Sequence, residues 1–314
     1  MPVGTLHDLT LSSRLLRGNP LGNSTRRRLL VYTPPGFSRR QNLRGIIFLP
    51  GFGSGPKKWK ERDFPMHRLL ELMILSGEAP PCVLACVDGS TRLGGSQYLD
   101  SPLNGPFMSH IVEEIVPFLR HRFGLRKELA VAGHSSGGFG ALHLASRHPE
   151  IFPRIASFAG DMHFELTHLH MLSGLVNDLR SGSLEKNLRA FLKTGRHHYM
   201  LALCAAYSPN LRNRTWRCDS PIDFRTGEIH LKVWRRWLQV DPVAWIQERA
   251  SSLRRLEVLY LSCGDRDPYH LHIGADLFTH RCRSLGIRVV SARHGGDHRL
   301  LVRQLEAGLK ALLL

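Results

Sequence analysis

Short apolar runs alternate along this chain with segments of helical periodicity, and this alternation constrains the fold more than any other feature. The runs stop at proline, glycine or aspartate, as in RGIIFLP at 44–50 and PCVLACVDG at 81–89. Apolar runs of this length between turn signals are typical of strands that are buried on both faces. The segment MSHIVEEIVPFLRHRFG at 108–124 instead places its apolar residues on one face of a helix. The alternation predicts an α/β fold with a mostly parallel central sheet and helices on both of its faces.

The start of the chain and one long interruption set the rest of the expected organisation. Residues 6–16 and 26–37 flank the turn-prone GNPLGNS and predict a β-hairpin or two edge strands. Residues 162–250 break the alternation with helical segments that carry most of the tryptophans. The 314 residues, 42% of them hydrophobic, suffice for one large core. We predict a single domain over 1–314, with 162–250 as a helical cap-like insertion that has no core of its own.

The chain is strongly basic, with a formal net charge of +17. Such a charge attracts polyanions, so nucleic acid and anionic membrane surfaces have to be considered as partners. The arginines are scattered, however, and runs such as STRRRLL at 24–30 lack the interleaved aromatic residues of a base-stacking surface. We therefore predict no specific nucleic-acid partner, and keep a nucleic-acid binder with an arginine-rich surface as an alternative.

The cysteines and the N-terminus indicate the compartment. The chain has six cysteines, and the pair Cys82 and Cys86 has no second pair that would complete a zinc site. Buried free thiols are the better interpretation, and they favour a reducing compartment. The N-terminal residues include an early acidic residue and no apolar signal core, and no run approaches the roughly 18 apolar residues of a membrane span. These features predict a soluble, cytoplasmic protein.

The stretch GHSSG at 133–137 fits the pattern Gly-x-Ser-x-Gly of a nucleophile elbow. The pentapeptide alone is a weak signal, because small residues are common in turns. Its surroundings are more specific, since the apolar ELAVAG precedes it and the helix-like GALHLASRHPE follows it. In such a strand–turn–helix unit the central serine, Ser135, is exposed at the start of the helix. Ser136 would then supply its backbone N–H to an oxyanion hole.

A serine nucleophile needs a histidine base and a carboxylate that orients the base. In hydrolases with this elbow the acid and then the histidine follow the serine along the chain. Asp265 and Asp267 follow one predicted strand, and His294 and His298 follow the last one. All four lie where the carboxyl ends of parallel strands gather functional groups. From the residues alone, either aspartate and either histidine fits.

The loop FLPGFGSG at 48–55 follows an early predicted strand and is the expected source of the second oxyanion donor. Its glycines allow close approach of the backbone, and the N–H of Phe52 or Gly53 is the candidate donor. Histidines at 163, 168 and 170 and in HLH at 270–272 match no established metal-ligand spacing, so we predict no metal site.

Several longer stretches are more specific than the serine pentapeptide and cover nearly the whole chain: FLPGFGSGPKKW, DGSTRLGGSQYLDSP, IVEEIVPFLRHRFG, AVAGHSSGGFGAL, LYLSCGDRDPYHLH and GGDH. In these stretches the chain resembles the esterase D branch of the α/β-hydrolases. That branch includes S-formylglutathione hydrolases, enterochelin esterases, feruloyl esterases and mycolyltransferases. The resemblance implies an α/β-hydrolase fold.

The resemblance also narrows the choice of acid and base. In that branch the acid ends a Gly-x-x-Asp step and the base ends a Gly-x-His step. In this sequence those positions are Asp267 and His298, which are therefore preferred over Asp265 and His294.

Around the oxyanion loop the sequence departs from its relatives. Where they usually have His-Gly or Asp-Gly, this chain has Pro50–Gly51, a change that leaves the backbone donor at Phe52 in place. Gly53, His134 and Tyr98 are candidate substrate contacts. For Tyr98 the alternative is packing within its own loop.

Taken together, these residues predict a serine esterase that hydrolyses a small-molecule carboxylic ester or thioester through a Ser-His-Asp triad and an acyl-enzyme. The chemistry needs no cofactor. Besides the nucleic-acid binder, two alternatives stay open at this stage. One is an acyltransferase that uses the same triad, as in the mycolyltransferases, and the other is a catalytically silent binding protein on a hydrolase fold.

Overall fold

A computed structural model describes residues 3–61, 66–180 and 195–314 of the chain. An eight-stranded sheet has the order β1-β2-β4-β3-β7-β8-β9-β10, and β5 pairs with β6 in a separate two-residue ladder. The strands are β1 (Thr5–Ser12), β2 (Arg26–Thr33), β3 (Arg44–Leu49), β4 (Cys82–Val87), β5 (Asp100–Ser101), β6 (Gly105–Pro106), β7 (Ala130–His134), β8 (Arg154–Phe158), β9 (Val258–Gly264) and β10 (Val290–His294).

The described helices surround this sheet. They are α1 (Pro56–Lys60), α2 (Met66–Leu75), α3 (Phe107–Ser109), α4 (Val116–Phe123), α5 (Ser136–Arg147), α6 (Phe164–Arg180), α7 (Gly195–Tyr207), α8 (Leu231–Leu238), α9 (Pro242–Trp245), α10 (Ala250–Arg254), α11 (Leu271–Ser284) and α12 (Val302–Leu313). A 3-10 turn covers Arg39–Gln41, and a π-helical segment, His110–Ile115, joins α3 to α4.

Strand direction confirms the predicted sheet. β1 is antiparallel to β2 with Thr5 opposite Thr33, and β2 is antiparallel to β4. The other neighbours, from β4 through β3 to β10, are parallel. The two segments predicted as a hairpin are thus the antiparallel edge of an otherwise parallel sheet. Because parallel strands point the same way, the loops after β3, β7, β8, β9 and β10 meet at one edge.

The two faces of the sheet carry separate buried clusters, because side chains alternate along each strand. Ile47 and Leu49 of β3 share a cluster with residues of α4, α5 and α11. Ile46 and Phe48 share the other cluster with residues of α2 and α12. The apolar runs seen in the sequence have no polar face because helices cover both sides of the sheet.

The predicted helix at 108–124 is interrupted by the π-helical segment. Pro117 lies in the first turn of α4 and has no N–H to donate to the carbonyl four residues back. The N–H of Val116 donates to the carbonyl of Ile111, five residues back, as in a π-turn. The apolar face predicted from the sequence persists, since Ile111, Ile115 and Leu119 are buried.

The segment predicted as an insertion contains α6 to α9 and the start of α10, and its residues 181–194 lie outside the described part. Tyr207, Trp237 and Trp245 belong to the same buried cluster as the α5 face of the sheet. Asp241 joins the two ends of the segment, because its side chain accepts hydrogen bonds from the N–H groups of Phe164 (3.0 Å) and Val243 (3.1 Å). The extent of this segment as a cap stays a prediction.

All six cysteines are buried free thiols. Burial raises the pKa of Cys82 to about 12 and that of Cys86 well above its usual value, so both thiols pack as small apolar groups. Among the described helices, none is long and apolar enough to cross a membrane.

Candidate active site

Ser135 occupies the sharp turn between β7 and α5, with φ 57° and ψ −123°. A side chain strains the backbone in this region, so the surrounding hydrogen bonds have to hold it. The N–H of Ser135 donates to the carbonyl of Phe158 at 2.9 Å, and its carbonyl accepts from the N–H of Phe139 at 3.0 Å. The turn also needs a glycine at 137, where a Cβ atom would lie 1.9 Å from the carbonyl oxygen of Leu49.

His298 joins the serine to a carboxylate through its two ring nitrogens. Its Nε2 lies 3.0 Å from the Oγ of Ser135, and its Nδ1 lies 2.7 Å from the Oδ2 of Asp267. The side chain of Asp267 is fully buried, whereas that of His298 is 22% exposed. The Nδ1 of the imidazole thus contacts a fully buried carboxylate, while part of the ring is exposed.

The buried carboxylate of Asp267 has a donor on each oxygen. Oδ1 accepts from the N–H of Tyr269 at 2.8 Å, and the Sγ of Cys263 lies 3.8 Å from Oδ2. Burial is the main cause that raises the pKa of the Cys263 thiol, and the charge of Asp267 adds to it. The thiol therefore keeps its proton and can donate it. These contacts orient the carboxylate toward His298.

The other two candidates from the sequence form contacts with other groups. Asp265 is exposed and forms an ion pair with Arg293 at 2.6 Å. His294 accepts from the N–H of Gly296 through Nδ1 at 3.1 Å, and its Nε2 contacts the side-chain amide of Gln304. The structure therefore brings together Ser135, His298 and Asp267 and leaves Asp265 and His294 outside that group.

The loop after β3 lies directly beside the serine. A Cβ atom on Gly51 would come within 3.3 Å of the Cβ of Ser135. In the described part of the chain, neither the N–H of Phe52 nor that of Ser136 donates to a protein acceptor. Ser136 opens α5, and the first N–H groups of a helix have no acceptor within it. Within the described part of the chain both N–H groups are thus unpaired, and their role in an oxyanion hole stays a prediction.

Tyr98 lies behind this loop. Its hydroxyl donates to the carbonyl of Pro50 at 2.6 Å, and its side chain is buried. The ring is closely enclosed, since a Cβ on Gly89 or Gly140 would approach it within 2.3 and 2.6 Å. Of the two predicted roles for Tyr98, this position matches packing against the loop rather than contact with a substrate.

The other two predicted contacts lie at the site. The Nε2 of His134 lies 2.8 Å from the carbonyl oxygen of His298, so His134 helps to hold the loop that carries the base. Gly53 has φ 65° and open space where a Cβ would be, and its carbonyl accepts from the Nζ of Lys58 at 2.7 Å. Gly53 thus forms the tip of the loop that carries Phe52.

Three further aromatic or acidic residues surround the site, and few sequence signals pointed to them. Tyr199 of α7 packs edge-on against Phe52, with ring centroids 4.8 Å apart, and its hydroxyl lies 3.4 Å from the Oδ2 of the buried Asp161. Burial raises the pKa of Tyr199 well above its usual value, so the hydroxyl stays protonated and donates. Tyr269 packs edge-on against His298 at 4.9 Å. Its position two residues after Asp267 was the one available signal.

Comparison with known proteins agrees with the observed fold. The sequence model of the family described as "Putative esterase" matches residues 23–300. Among solved structures, a ferulic acid esterase superposes with a TM-score of 0.65 at 17% identity, over 100% of this chain and 97% of that one. An S-formylglutathione hydrolase from Agrobacterium tumefaciens gives 0.60 at 16% identity, over 98% and 92%.

A fluorophosphonate-binding serine hydrolase of Staphylococcus aureus is also similar, with a TM-score of 0.62 at 14% identity over 98% of this chain and 96% of that one. At these identities the likeness establishes the shared α/β-hydrolase fold, and the family match adds support for a hydrolase that acts on esters. Because the family model covers most of the sequence, the chain belongs to the "Putative esterase" family.

Proposed function

We propose that this protein is a serine esterase that hydrolyses carboxylic esters or thioesters of small molecules through an acyl-enzyme on Ser135. One observation carries the proposal. The Oγ of Ser135, the ring of His298 and the carboxylate of Asp267 form a continuous series of contacts of 3.0 and 2.7 Å. This series has the geometry that activates a serine hydroxyl.

In the proposed acylation step, the Oγ of Ser135 attacks the carbonyl carbon and His298 takes its proton at Nε2. The negative charge that develops on the carbonyl oxygen is stabilised by the N–H groups of Phe52 and Ser136. Such donors contribute about 3 to 4 kcal/mol each to transition-state stabilisation. His298 then passes the proton to the leaving oxygen or sulfur as the bond to the carbonyl carbon breaks.

Deacylation repeats these steps with water as the nucleophile. His298 takes a proton from water, the hydroxide attacks the acyl carbon, and the proton returns to the Oγ of Ser135 as the acid leaves. Asp267 keeps Nδ1 protonated and stabilises the imidazolium in both halves of the reaction. Its full burial makes this interaction stronger than it would be in water.

Replacing the nucleophile tests the proposal. Ser135→Ala should abolish ester hydrolysis and labelling by a fluorophosphonate probe, while the circular-dichroism spectrum and thermal midpoint stay close to those of the original protein. Ser284→Ala is the matched control, because Ser284 is an exposed serine at the end of α11. Full activity in Ser135→Ala, or no labelling of the original protein, would contradict the proposal and favour a silent binding protein.

A further inference from the structure

Beside the base lies an exposed aromatic ring that the mechanism above does not use. The ring of Tyr269 stands perpendicular to that of His298, with centroids 4.9 Å apart. Tyr269 is 60% exposed, and Ile273, in the first turn of α11, is 44% exposed. An exposed aromatic ring in contact with a catalytic base offers apolar surface to a bound substrate.

This ring is held in position by its backbone. The N–H of Tyr269 donates to Oδ1 of Asp267, and the N–H of His270 donates to the carbonyl of Asp267 at 3.0 Å. His270 adopts φ 59° as the N-cap of α11, which carries Ile273. An exposed ring on a fixed backbone loses little conformational entropy when a ligand covers it.

The chemistry of the step determines which part of a substrate meets this ring. The carbonyl oxygen has to point to the N–H groups of Phe52 and Ser136. The leaving oxygen or sulfur has to reach the proton on Nε2 of His298. Tyr269 packs against His298, whereas Phe52 packs against Tyr199. Because Tyr269 packs against the ring that donates this proton, it is in position to contact the departing group.

We propose that Tyr269 and Ile273 form the leaving-group subsite and select esters or thioesters whose departing alcohol or thiol is apolar. The inference rests on the proposed function and adds the class of leaving group to it. Covering the ring and Ile273 removes apolar surface from water, which favours long alkyl or aryl groups over methyl or ethyl.

The same surface receives the alcohol in the reverse direction. An added alcohol attacks the acyl carbon of the acyl-enzyme, loses its proton to Nε2 of His298, and releases Ser135, which regains the proton on Oγ. The product is a new ester. Because this step reverses acylation, an apolar alcohol should compete with water through contact with Tyr269.

A series of acetates tests the subsite with a constant acyl group. Ethyl, butyl, hexyl and 2-phenylethyl acetate have leaving alcohols of similar acidity, so kcat/KM reports mainly binding of the leaving group. We expect kcat/KM to rise along the series. Tyr269→Ala should lower it about 5- to 10-fold for 2-phenylethyl acetate and less than about twofold for ethyl acetate. Ile273→Ala should act in the same direction with a smaller effect.

Two further measurements separate selectivity from a general loss of activity. Ethyl esters of longer acids vary the acyl side, and their relative kcat/KM should not change in Tyr269→Ala. The fraction of acyl-enzyme captured by added hexanol should fall in Tyr269→Ala. Leu72→Ala is the control, since Leu72 lies on α2, away from Ser135, and is 56% exposed.

An equal loss for ethyl and 2-phenylethyl acetate would overturn the subsite and make Tyr269 a positioning residue for His298. A change that follows the acyl series would overturn it as well. Absence of all Ser135-dependent hydrolysis contradicts the proposed function itself. Normal hydrolysis with no preference among the alcohols contradicts only the subsite.

Discussion

The two aspartates after β9 differ by burial and by partner, and that difference assigns their roles. Asp267 is buried against His298, whereas Asp265 is exposed and paired with Arg293. Asp267→Asn should lower kcat by about 10³- to 10⁴-fold, because an amide no longer holds the productive tautomer of the imidazole or stabilises its charged form. Steady-state kinetics on an activated acetate ester measure the loss.

Asp265→Asn is the matched control for that variant, two residues away on the same loop. It removes an exposed ion pair, and such pairs contribute about 0 to 1 kcal/mol to stability. Its kcat should stay within about twofold of the original. Equal losses in both variants would show that the loop as a whole, rather than the buried carboxylate, supports His298.

For single residues, the sequence predicted which residues form the candidate site better than it predicted the contacts between them. Ser135 followed from its place between an apolar run and a helix, which is a local signal. The choice of Asp267 over Asp265 needed the resemblance, because burial depends on how the β10 loop covers the end of β9. Tyr199 was not predicted, since its contact with Phe52 joins segments far apart in the chain and no spacing encodes it.

At the scale of elements, the oxyanion loop depends on a buried tyrosine from another loop. Tyr98→Phe removes the hydroxyl that bonds the carbonyl of Pro50. Leaving this carbonyl without a donor should cost about 1 to 3 kcal/mol of stability. If the loop shifts, the N–H of Phe52 is displaced from the developing oxyanion, so kcat should fall about 3- to 10-fold with little change in KM.

Tyr207→Phe is the control for this loss of a buried hydroxyl. Among the described residues no group pairs with the hydroxyl of Tyr207, although its ring is buried against Phe164 and Trp237. Its removal should leave kcat unchanged and stability equal or slightly higher. An unchanged kcat in Tyr98→Phe would mean that packing alone holds the loop.

The elements themselves were largely predictable because their patterns are local. Buried strands such as β3 and β4 need apolar residues on both faces, and the sequence shows them as short uninterrupted runs. The π-helical segment before α4 was not predicted, although Pro117 gave a reason for it. An apolar face looks the same over a few residues at α- and π-helical spacing, so periodicity does not separate the two.

At the scale of the whole molecule, the +17 charge and the buried site affect different properties. The residues that contact Ser135, His298 and Asp267 are mostly uncharged or paired with an opposite charge. Many arginines are instead exposed or form ion pairs with surface carboxylates, as Arg28 does with Asp8. Exposed charge of this kind governs solubility and weak attraction to polyanions, which salt screens. The fold and the proposed chemistry instead depend on buried groups. One of these is Asp241, whose hydrogen bonds to two helices contribute to the stability of the whole molecule.

Asp241 ties the start of α6 to α9, and burial raises the pKa of its carboxyl to about 7 from an ordinary 3.8. Because this carboxyl has a higher pKa in the folded chain than in the unfolded chain, its protonation stabilises the fold. That stabilisation is complete below pH 4 and is lost as pH rises to 7. Asp241→Asn removes this titration. Relative to the original protein, its unfolding free energy should rise by on the order of 3 kcal/mol between pH 5 and pH 8. Urea unfolding at both pH values measures the difference.

Two pH values have to be compared because Asp241→Asn also loses a hydrogen bond. The amide offers one acceptor oxygen for the two N–H groups that the carboxyl of Asp241 accepts from, and this loss of stability is independent of pH.

Asp223→Asn provides the control. Hydrogen bonds from the N–H groups of Thr226 and Arg225 lower the pKa of this carboxyl, so it stays ionised from pH 5 to pH 8 whether the chain is folded or unfolded. The stability difference caused by Asp223→Asn should therefore be flat over this range. A flat difference for Asp241→Asn as well would mean that water or a shift of α9 relieves the buried charge, and that Asp241 holds the two helices together at no electrostatic cost.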